Sequence, residues 1–471
     1  MDNITHIITY LGYLVATVMF IVGLKLQQRV PTARRGNHLS ALGMLLAVIL
    51  ALLDLGTFNP LYIIIGVVIG SAIGAIAAYK AKMTDMPQMV ALFNGLGGGA
   101  SMLVALSLFH MEVLPKSQTM IAAIGADSAI TTVLSIIIGA VTLTGSIVAF
   151  LKLQEWISGR PILIPGRHII NLVLAIAALV LGTWSLFADP SQVAIILWVF
   201  AAIALILGAL LVIPIGGADM PVVISLLNSY SGLAAAMTGF VLKNNLLIVV
   251  GSLVGASGII LTRIMSKAMN RSLANVLFGG FGATDQTAGA GGEYSGVKSA
   301  SIEESALILE SASSVIFVPG YGLAVAQAQH AVKELAELLI KRGVSVKYAI
   351  HPVAGRMPGH MNVLLAESNV PYEQLYEMDA INHEFKATDV AVVIGANDVV
   401  NPAATHDRGS PIYGMPILNV HEARSVIIIK RSLGAGFAGI RNELFEYPNA
   451  VMMFADARKG LAGLTEELKQ M

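Results

Sequence analysis

Val315-Ile316-Phe317-Val318-Pro319-Gly320-Tyr321-Gly322-Leu323-Ala324-Val325-Ala326 is the stretch on which the reading of this chain turns. A β-branched run ends in Gly-x-Gly, and an amphipathic, soluble segment follows, QAQHAVKELAELLIKR (327–342). Strand, glycine turn and helix in that order form the phosphate cradle of a dinucleotide fold. Glycine lets the backbone approach a pyrophosphate, and a helix N-terminus stabilises its charge. Val325 and Ala326 stand where the last glycine of that fingerprint would be. The string VPGYG (318–322) also mimics a potassium filter, but a filter needs a pore helix before it, and the helix after this one is soluble.

Outward from that turn, residues 302–471 alternate short β-branched runs with helical stretches. Strands are predicted near 314–318, 345–350, 372–377, 389–394, 425–429 and 450–454, with a last helix over about 458–470. Alternating β and α predicts an α/β, doubly wound, parallel sheet. In an NAD site the second strand would end in an acid for the ribose 2′-hydroxyl; here it ends Ala349-Ile350-His351-Pro352. After the fifth strand come Lys430, Arg431 and Ser432, two cations and a hydroxyl that suit a 2′-phosphate and hence NADP. The alternative is an ordinary solvated loop. Gly434-Ala435-Gly436-Phe437-Ala438-Gly439 beyond them could form a lid. Two further polar loops follow strands at their carboxyl ends, Val353-Ala354-Gly355-Arg356-Met357-Pro358-Gly359-His360 and Gly395-Ala396-Asn397-Asp398-Val399-Val400-Asn401-Pro402. Asp398 could equally be a cap and Arg356 a surface ion pair.

Residues 1–268 read differently. The chain has 471 residues, 12% of them charged, against about 25% in soluble domains, and its mean hydropathy is +0.75. The deficit of charge sits in the first 268 residues, which marks a membrane domain. Nine spans are predicted, near 4–24, 39–56, 60–79, 87–109, 128–150, 168–187, 191–213, 220–241 and 245–265. The first lacks a basic leader and a small-residue cleavage site, so it reads as a retained span. Odd-numbered loops hold Lys25, Arg29, Arg34, Arg35, Lys80, Lys82, Lys152, Arg160, Arg167, Arg263, Lys267 and Arg271, and even-numbered loops hold Lys116 and Lys243. That bias places the N-terminus outside and the C-terminal domain in the cytoplasm. Residues 269–301 contain GGFGATDQTAGAGGEYSGVKSAS (279–301), which reads as a flexible linker. Zero net charge gives no hint of nucleic acid. The absence of cysteine excludes disulfides and thiolate chemistry, and no metal site is apparent.

An internal repeat is legible in the membrane half. Asp85-Met86-Pro87 opens the fourth span and Asp219-Met220-Pro221 the eighth; Asn94 then matches Asn228, and Gly98 matches Gly232. In the following spans Gly139, Gly145 and Ser146 echo Gly251, Ser257 and Gly258. Spans three to five and seven to nine therefore read as parallel repeats, a plan common in transporters. At ~1.5 Å per residue, Asn94 and Asn228 lie ~13 Å past their helix starts, close to the bilayer midplane. Such amides either line a wet path or join helices. No titratable side chain lies mid-span, so a proton path would use a group at its mouth or one from another chain. Asp219 is the candidate, because Pro214 and Gly216-Gly217 break the helix before it and would admit water. Asp219, Asn94, Asn228 and Ser257 are the expected proton path. The alternative is an Asp serving only as a helix cap.

GYGLAVAQAQ (320–329), HPVAGRMPGHMNVLLAE (351–367), IGANDVVNPAA (394–404), KRSLGAGFAG (430–439) and GGADMPVVISLLNSYSG (216–232) together resemble the β subunit of proton-translocating NAD(P) transhydrogenase over nearly the whole chain. The resemblance implies a bacterial inner-membrane protein with a cytoplasmic NADP(H) domain, an α subunit carrying NAD(H) and extra membrane helices, and a dimer of αβ units. It implies direct hydride transfer between the two nicotinamides while a proton crosses. By that resemblance Gly320, Tyr321, Gly322 and Val325 contact NADP, with Val353, Ala354, Gly355, Arg356, Met357 and Pro358, and with Gly395, Ala396, Asn397, Asp398 and Val399. Lys430, Arg431 and Ser432 hold the 2′-phosphate, Gly434, Gly436, Phe437 and Ala438 form the lid, and Asp456 and Ala457 close the site. Some relatives carry His where this chain has Asn94, so a partner helix is expected to supply the titratable group. The rival reading is a secondary transporter or channel gated by a regulatory nucleotide-binding domain.

Overall fold

A computed structural model describes residues 2–28, 30–54, 60–159, 161–270, 272–278, 294–357, 359–410, 412–436 and 438–471. Among these, nine helices are long and apolar enough to cross a bilayer: α1 (Asp2–Gln27), α2 (Val30–Asp54), α3 (Pro60–Lys80), α4 (Met86–Leu108), α5 (Ala126–Leu153), α6 (Arg167–Phe187), α7 (Pro190–Val212), α8 (Met220–Val241) and α9 (Asn245–Ala268). The fourth span outruns its expected end, because a π-turn over Phe109–Val113 and a 3-10 turn over Leu114–Lys116 continue it.

Helix α8 is the axis of the bundle, packed against α4, α5 and α9. Small residues bring these backbones together. A Cβ on Gly98 of α4 would lie 2.8 Å from the carbonyl of Gly139 on α5, and one on Gly232 of α8 would lie 2.9 Å from that of Gly251 on α9. The two glycine crossings occupy the repeat positions matched in the sequence. Three residues earlier on each first helix the match persists with a twist. Gly95 faces Ser146 in the first pair, and Ser229 faces Gly258 in the second, so the serine and the glycine have changed helices. Either arrangement gives the same narrow crossing, since one Cβ fits between the backbones and two do not.

The start of each repeat is also shared. A 3-10 turn ends at Asp85 or Asp219, and the next helix opens with proline in its first turn. Neither aspartate caps its helix through its side chain.

The C-terminal half is a six-stranded parallel sheet: β1 (Ser314–Pro319), β2 (Ser345–Ile350), β3 (Leu375–Glu377), β4 (Val390–Ile394), β5 (Ser425–Lys430) and β6 (Ala450–Phe454). Its order is β3-β2-β1-β4-β5-β6, every neighbouring pair parallel. The third strand is shorter than expected, because Tyr372–Gln374 form a 3-10 turn. Alternation along the strands feeds two cores. Val315, Phe317, Val392 and Ile427 face one layer, and Ile316, Val318, Val393 and Ile428 face the other.

The stretch read as a flexible linker is structured at both ends. Residues Leu273–Phe278 form a short helix whose Val276 is buried in the membrane-domain core. Residues 294–300 run along the open edge of β6, where Ala300 N–H donates to Met452 O and Met452 N–H to Lys298 O, satisfying edge groups that would otherwise be exposed. Ser301 and Glu304 then form a reciprocal capping box that starts the first helix of the sheet domain. Residues 279–293 lie outside the described residues.

Candidate functional site

Strand order reverses between β1 and β4, and that is where a doubly wound sheet opens a crevice at its carboxyl edge. The loops leaving these two strands touch backbone to backbone. Gly320 N–H donates to Ile394 O (2.9 Å), Gly322 N–H to Gly395 O (2.9 Å), and Gly395 N–H to Ile429 O (3.0 Å). A Cβ on Gly320 would sit 2.4 Å from Ala396 Cα, and Gly395, at φ +63°, approaches Gly322 as closely. The glycines at 320, 322 and 395 are therefore required first for the two loops to meet.

The helix after β1 departs from expectation. Helix α10 (Tyr321–Val325) lasts five residues, Gln327 turns at φ 49°, and the long helix α11 (Gln329–Lys341) starts afresh. Val325 ends the short helix and is 45% exposed.

The fourth and fifth strands contribute a second cluster. Asp398 accepts from Ala438 N–H through Oδ2 (2.9 Å), and Gly436 lies directly against its carboxylate. Lys430 Nζ donates to Gly434 O (2.7 Å) and stands over the Phe445 ring. Burial pulls the Lys430 ammonium down to about 8, with Asp398 opposing the fall. The backbone oxygen of Asn397 accepts from Asn442 (3.0 Å), itself fully buried. Gly436 and Ala438 thus lie against Asp398 in the loop after β4, and Lys430 holds Gly434 within its own loop. Arg431 and Ser432 are exposed at its root, with Gly434 N–H donating to Ser432 Oγ. Asp456 is the N-cap of α12 (Ala457–Gln470), accepting from Arg458 and Lys459 N–H, and Ala457 is buried beneath it. Pro358 and Phe437 lie outside the described residues.

The loop after β2 goes elsewhere. Val353 packs into the membrane-domain core, Ala354 and Met357 are buried, and Gly355 turns at φ +103°. Arg356 reaches the C-terminal end of α5, bonding Leu153 O (3.0 Å) and Glu155 (2.9 Å), with its guanidinium 4.5 Å above the Tyr321 ring. Burial raises the Tyr321 phenol, with Arg356 opposing and Glu155 and Asp85 adding to the rise. The sheet domain therefore meets the membrane domain through the loops expected to hold a dinucleotide.

His360, quoted above only as the end of that loop, pins it. Its Nδ1 accepts from Arg356 N–H (3.0 Å), while Nε2 is buried without a partner. Burial, then Arg356, lowers this imidazole to about 4. His351 is likewise held neutral, near 4, by burial, and bonds Pro416 O. A histidine directly after a strand looks like any loop residue in sequence, because its role depends on what covers it.

In the membrane half, Asn94 is buried and its amide reaches Ile224 O at 3.4 Å, on the turn of α8 that leads to Asn228. Ser257 is not brought to this point: it is exposed on α9 and bonds its own helix at Val254 O. Buried hydroxyls are found instead on α8 itself, at Ser225, Ser229 and Thr238, and beside it at Thr262 of α9 and Ser135 of α5. Asp219, expected where water could reach, is only 3% exposed. Lys152, counted above as a loop charge, belongs to the last turn of α5 and turns inward. Its ammonium bonds Ile213 O (2.5 Å) and Ile215 O (2.7 Å), the carbonyls ending α7 just ahead of Asp219. Sequence gave no sign of this, because a lysine at a span end is the usual mark of an aqueous loop.

Comparison with known proteins agrees with the arrangement. A family model described as NAD(P) transhydrogenase beta subunit matches residues 9–467. The protein named NAD(P) transhydrogenase subunit beta in Rhodospirillum rubrum, and its counterpart in a named strain of that organism, are each 50% identical over 469 residues, covering 99% of this chain and 99% of their own. With nine membrane-length helices among the described residues, a six-stranded parallel sheet and similarity over almost its full length, the chain belongs to the NAD(P) transhydrogenase beta subunit family.

Proposed function

We propose that the sheet domain binds NADP(H), that an α subunit carries NAD(H), and that hydride transfer between the two is coupled to proton movement along α4, α8 and α9. The observation that carries this reading is the switch point of the sheet, where the glycine loops leaving β1 and β4 meet, with Lys430, Arg431 and Ser432 one strand away. The donor set fits the group: two cations and a hydroxyl suit a 2′-phosphate, and no acid stands at the end of β2 to prefer a free ribose hydroxyl. The buried, unpartnered Nε2 of His360 supports a polar site beside Arg356. NADP(H), when bound, supplies one end of the hydride transfer. This chain's residues contribute orientation, closure by the 434–438 segment and exclusion of water, and hydride transfer needs no acid or base from them. Asp219 would hold the proton at the cytoplasmic mouth, with Asn94 and Asn228 orienting water further in. The protein would lie in a bacterial inner membrane, N-terminus outside, as a dimer of αβ units.

Calorimetric titration of the full-length protein tests the cofactor assignment. NADP+ should bind more tightly than NAD+, and Lys430→Ala should reduce that preference by about tenfold. The sign of the pH dependence follows from the lysine. Its charged form predominates below about 8, so affinity should be level below that pH and weaken above it, a trend Lys430→Arg should abolish. Equal or inverted preference for the two coenzymes would overturn the assignment.

A further inference from the structure

Arg356 is offered two partners of the same chemistry. One is the dinucleotide, which the family resemblance gives Arg356 as a contact and whose phosphates suit a guanidinium. The other is visible at the end of α5. The Arg356 side chain is only 14% exposed, and two of its N–H groups are taken by Leu153 O and by the Glu155 carboxylate. The setting favours a cation. Leu153 belongs to the last turn of α5, whose unpaired carbonyls carry partial negative charge. Glu155, at φ 62°, follows the chain's left-handed exit from that helix. The same Leu153 carbonyl also accepts from Gln88 of α4 (3.3 Å), three residues after Asp85. One backbone oxygen thus joins the first repeat, the end of α5 and the loop after β2.

We infer that Glu155 and the Leu153 carbonyl are positioning groups for Arg356 that compete with the dinucleotide for its guanidinium. This rests on Arg356 being a ligand of NADP(H). Arg356 spends one N–H of each terminal nitrogen on the Leu153 carbonyl and the Glu155 carboxylate, so its two-nitrogen fork is turned to α5 and must leave at least one of them to present that fork to a phosphate. Binding the dinucleotide therefore loosens the sheet domain from α5, and anything that strengthens the α5 contact weakens the dinucleotide by the same factor. Glu155 is 72% exposed, so its share is modest, about two- to fivefold in affinity.

The experiment uses the full-length protein, NADP+ as the titrant, and Glu155→Gln with Glu155→Asp beside it. Glu155→Gln should bind NADP+ about two- to fivefold more tightly than the parent at low salt. The difference should close as salt rises, because an exposed ion pair is screened, and Glu155→Asp should restore the parent value. Trp156, adjacent and 74% exposed, gives a second readout once Trp184 and Trp198 are replaced by Phe. Its emission should shift when NADP+ is added to the parent, and less in Glu155→Gln. Unchanged or weaker binding by Glu155→Gln, or a silent Trp156 while NADP+ binds, overturns this inference and leaves the cofactor assignment standing. Failure of the parent to bind NADP+ overturns the assignment itself.

Discussion

Asp85 and Asp219 end their 3-10 turns with nearly identical backbone angles, φ −92°, ψ 0° and φ −87°, ψ −5°. Their surroundings differ. Asp85 is partly exposed, accepts from Lys82 N–H at 3.3 Å, and lies close enough to Tyr321 to be felt by its phenol. Asp219 is almost fully buried, behind carbonyls held by Lys152. The repeat therefore yields two kinds of entrance. In the first, the sheet domain meets the mouth. In the second, the end of the preceding helix is clamped by a lysine from α5. Local sequence sets the backbone of both turns, and what packs ahead of each sets its electrostatics.

The largest expected effect separates the two aspartates. Asp219→Asn should lower coupled turnover on the order of a hundredfold or more while NADP+ still binds, and Asp85→Asn should stay within about threefold. Hydride transfer and vesicle acidification, measured together, check this; equal losses would erase the functional difference between the repeats. Next comes the clamp. Lys152→Met leaves buried carbonyls without donors and should destabilise the membrane domain by about 1–3 kcal/mol, read as a lower thermal midpoint in detergent. Lys82→Met, at the other entrance, should move that midpoint little.

The glycine crossings should respond alike. Gly232→Ala and Gly98→Ala each force a methyl against a neighbouring backbone and should cost about 1–3 kcal/mol; a benign result at either crossing would show that its helices can part. The smallest effect concerns the exchanged pair. Gly95→Ser with Ser146→Gly copies the arrangement of Ser229 and Gly258 into the first repeat. The double variant should lie within about 1 kcal/mol of the parent, and Gly95→Ser alone should be worse, because two side chains then share one gap.

Much of the site was legible because it depends on order along the chain. The turn from Val318 to Gly322, the cations after Ile429 and the paired Asp-Met-Pro starts are local patterns, and the backbone follows them. Lys152, Glu155 and His360 were not legible as partners. Lys152 and Glu155 act through neighbours distant in sequence, at Ile213 and Arg356, and His360 acts four residues back on Arg356 within a loop whose shape no periodicity encodes.

By itself the sequence determined two solvents for one chain. Apolar runs long enough to span a bilayer bury nothing in water, and β-branched runs between amphipathic helices pair in parallel, so an apolar bundle and a doubly wound sheet follow from composition and period alone. Only the tertiary structure decided which polar groups are withdrawn from solvent. Asp219 and Lys152 are hidden, Ser257 is turned outward, and Arg356 faces the membrane domain. Burial and partnership belong to the packed arrangement of helices, since a side chain's charge is stabilised or penalised by whatever surrounds it in three dimensions.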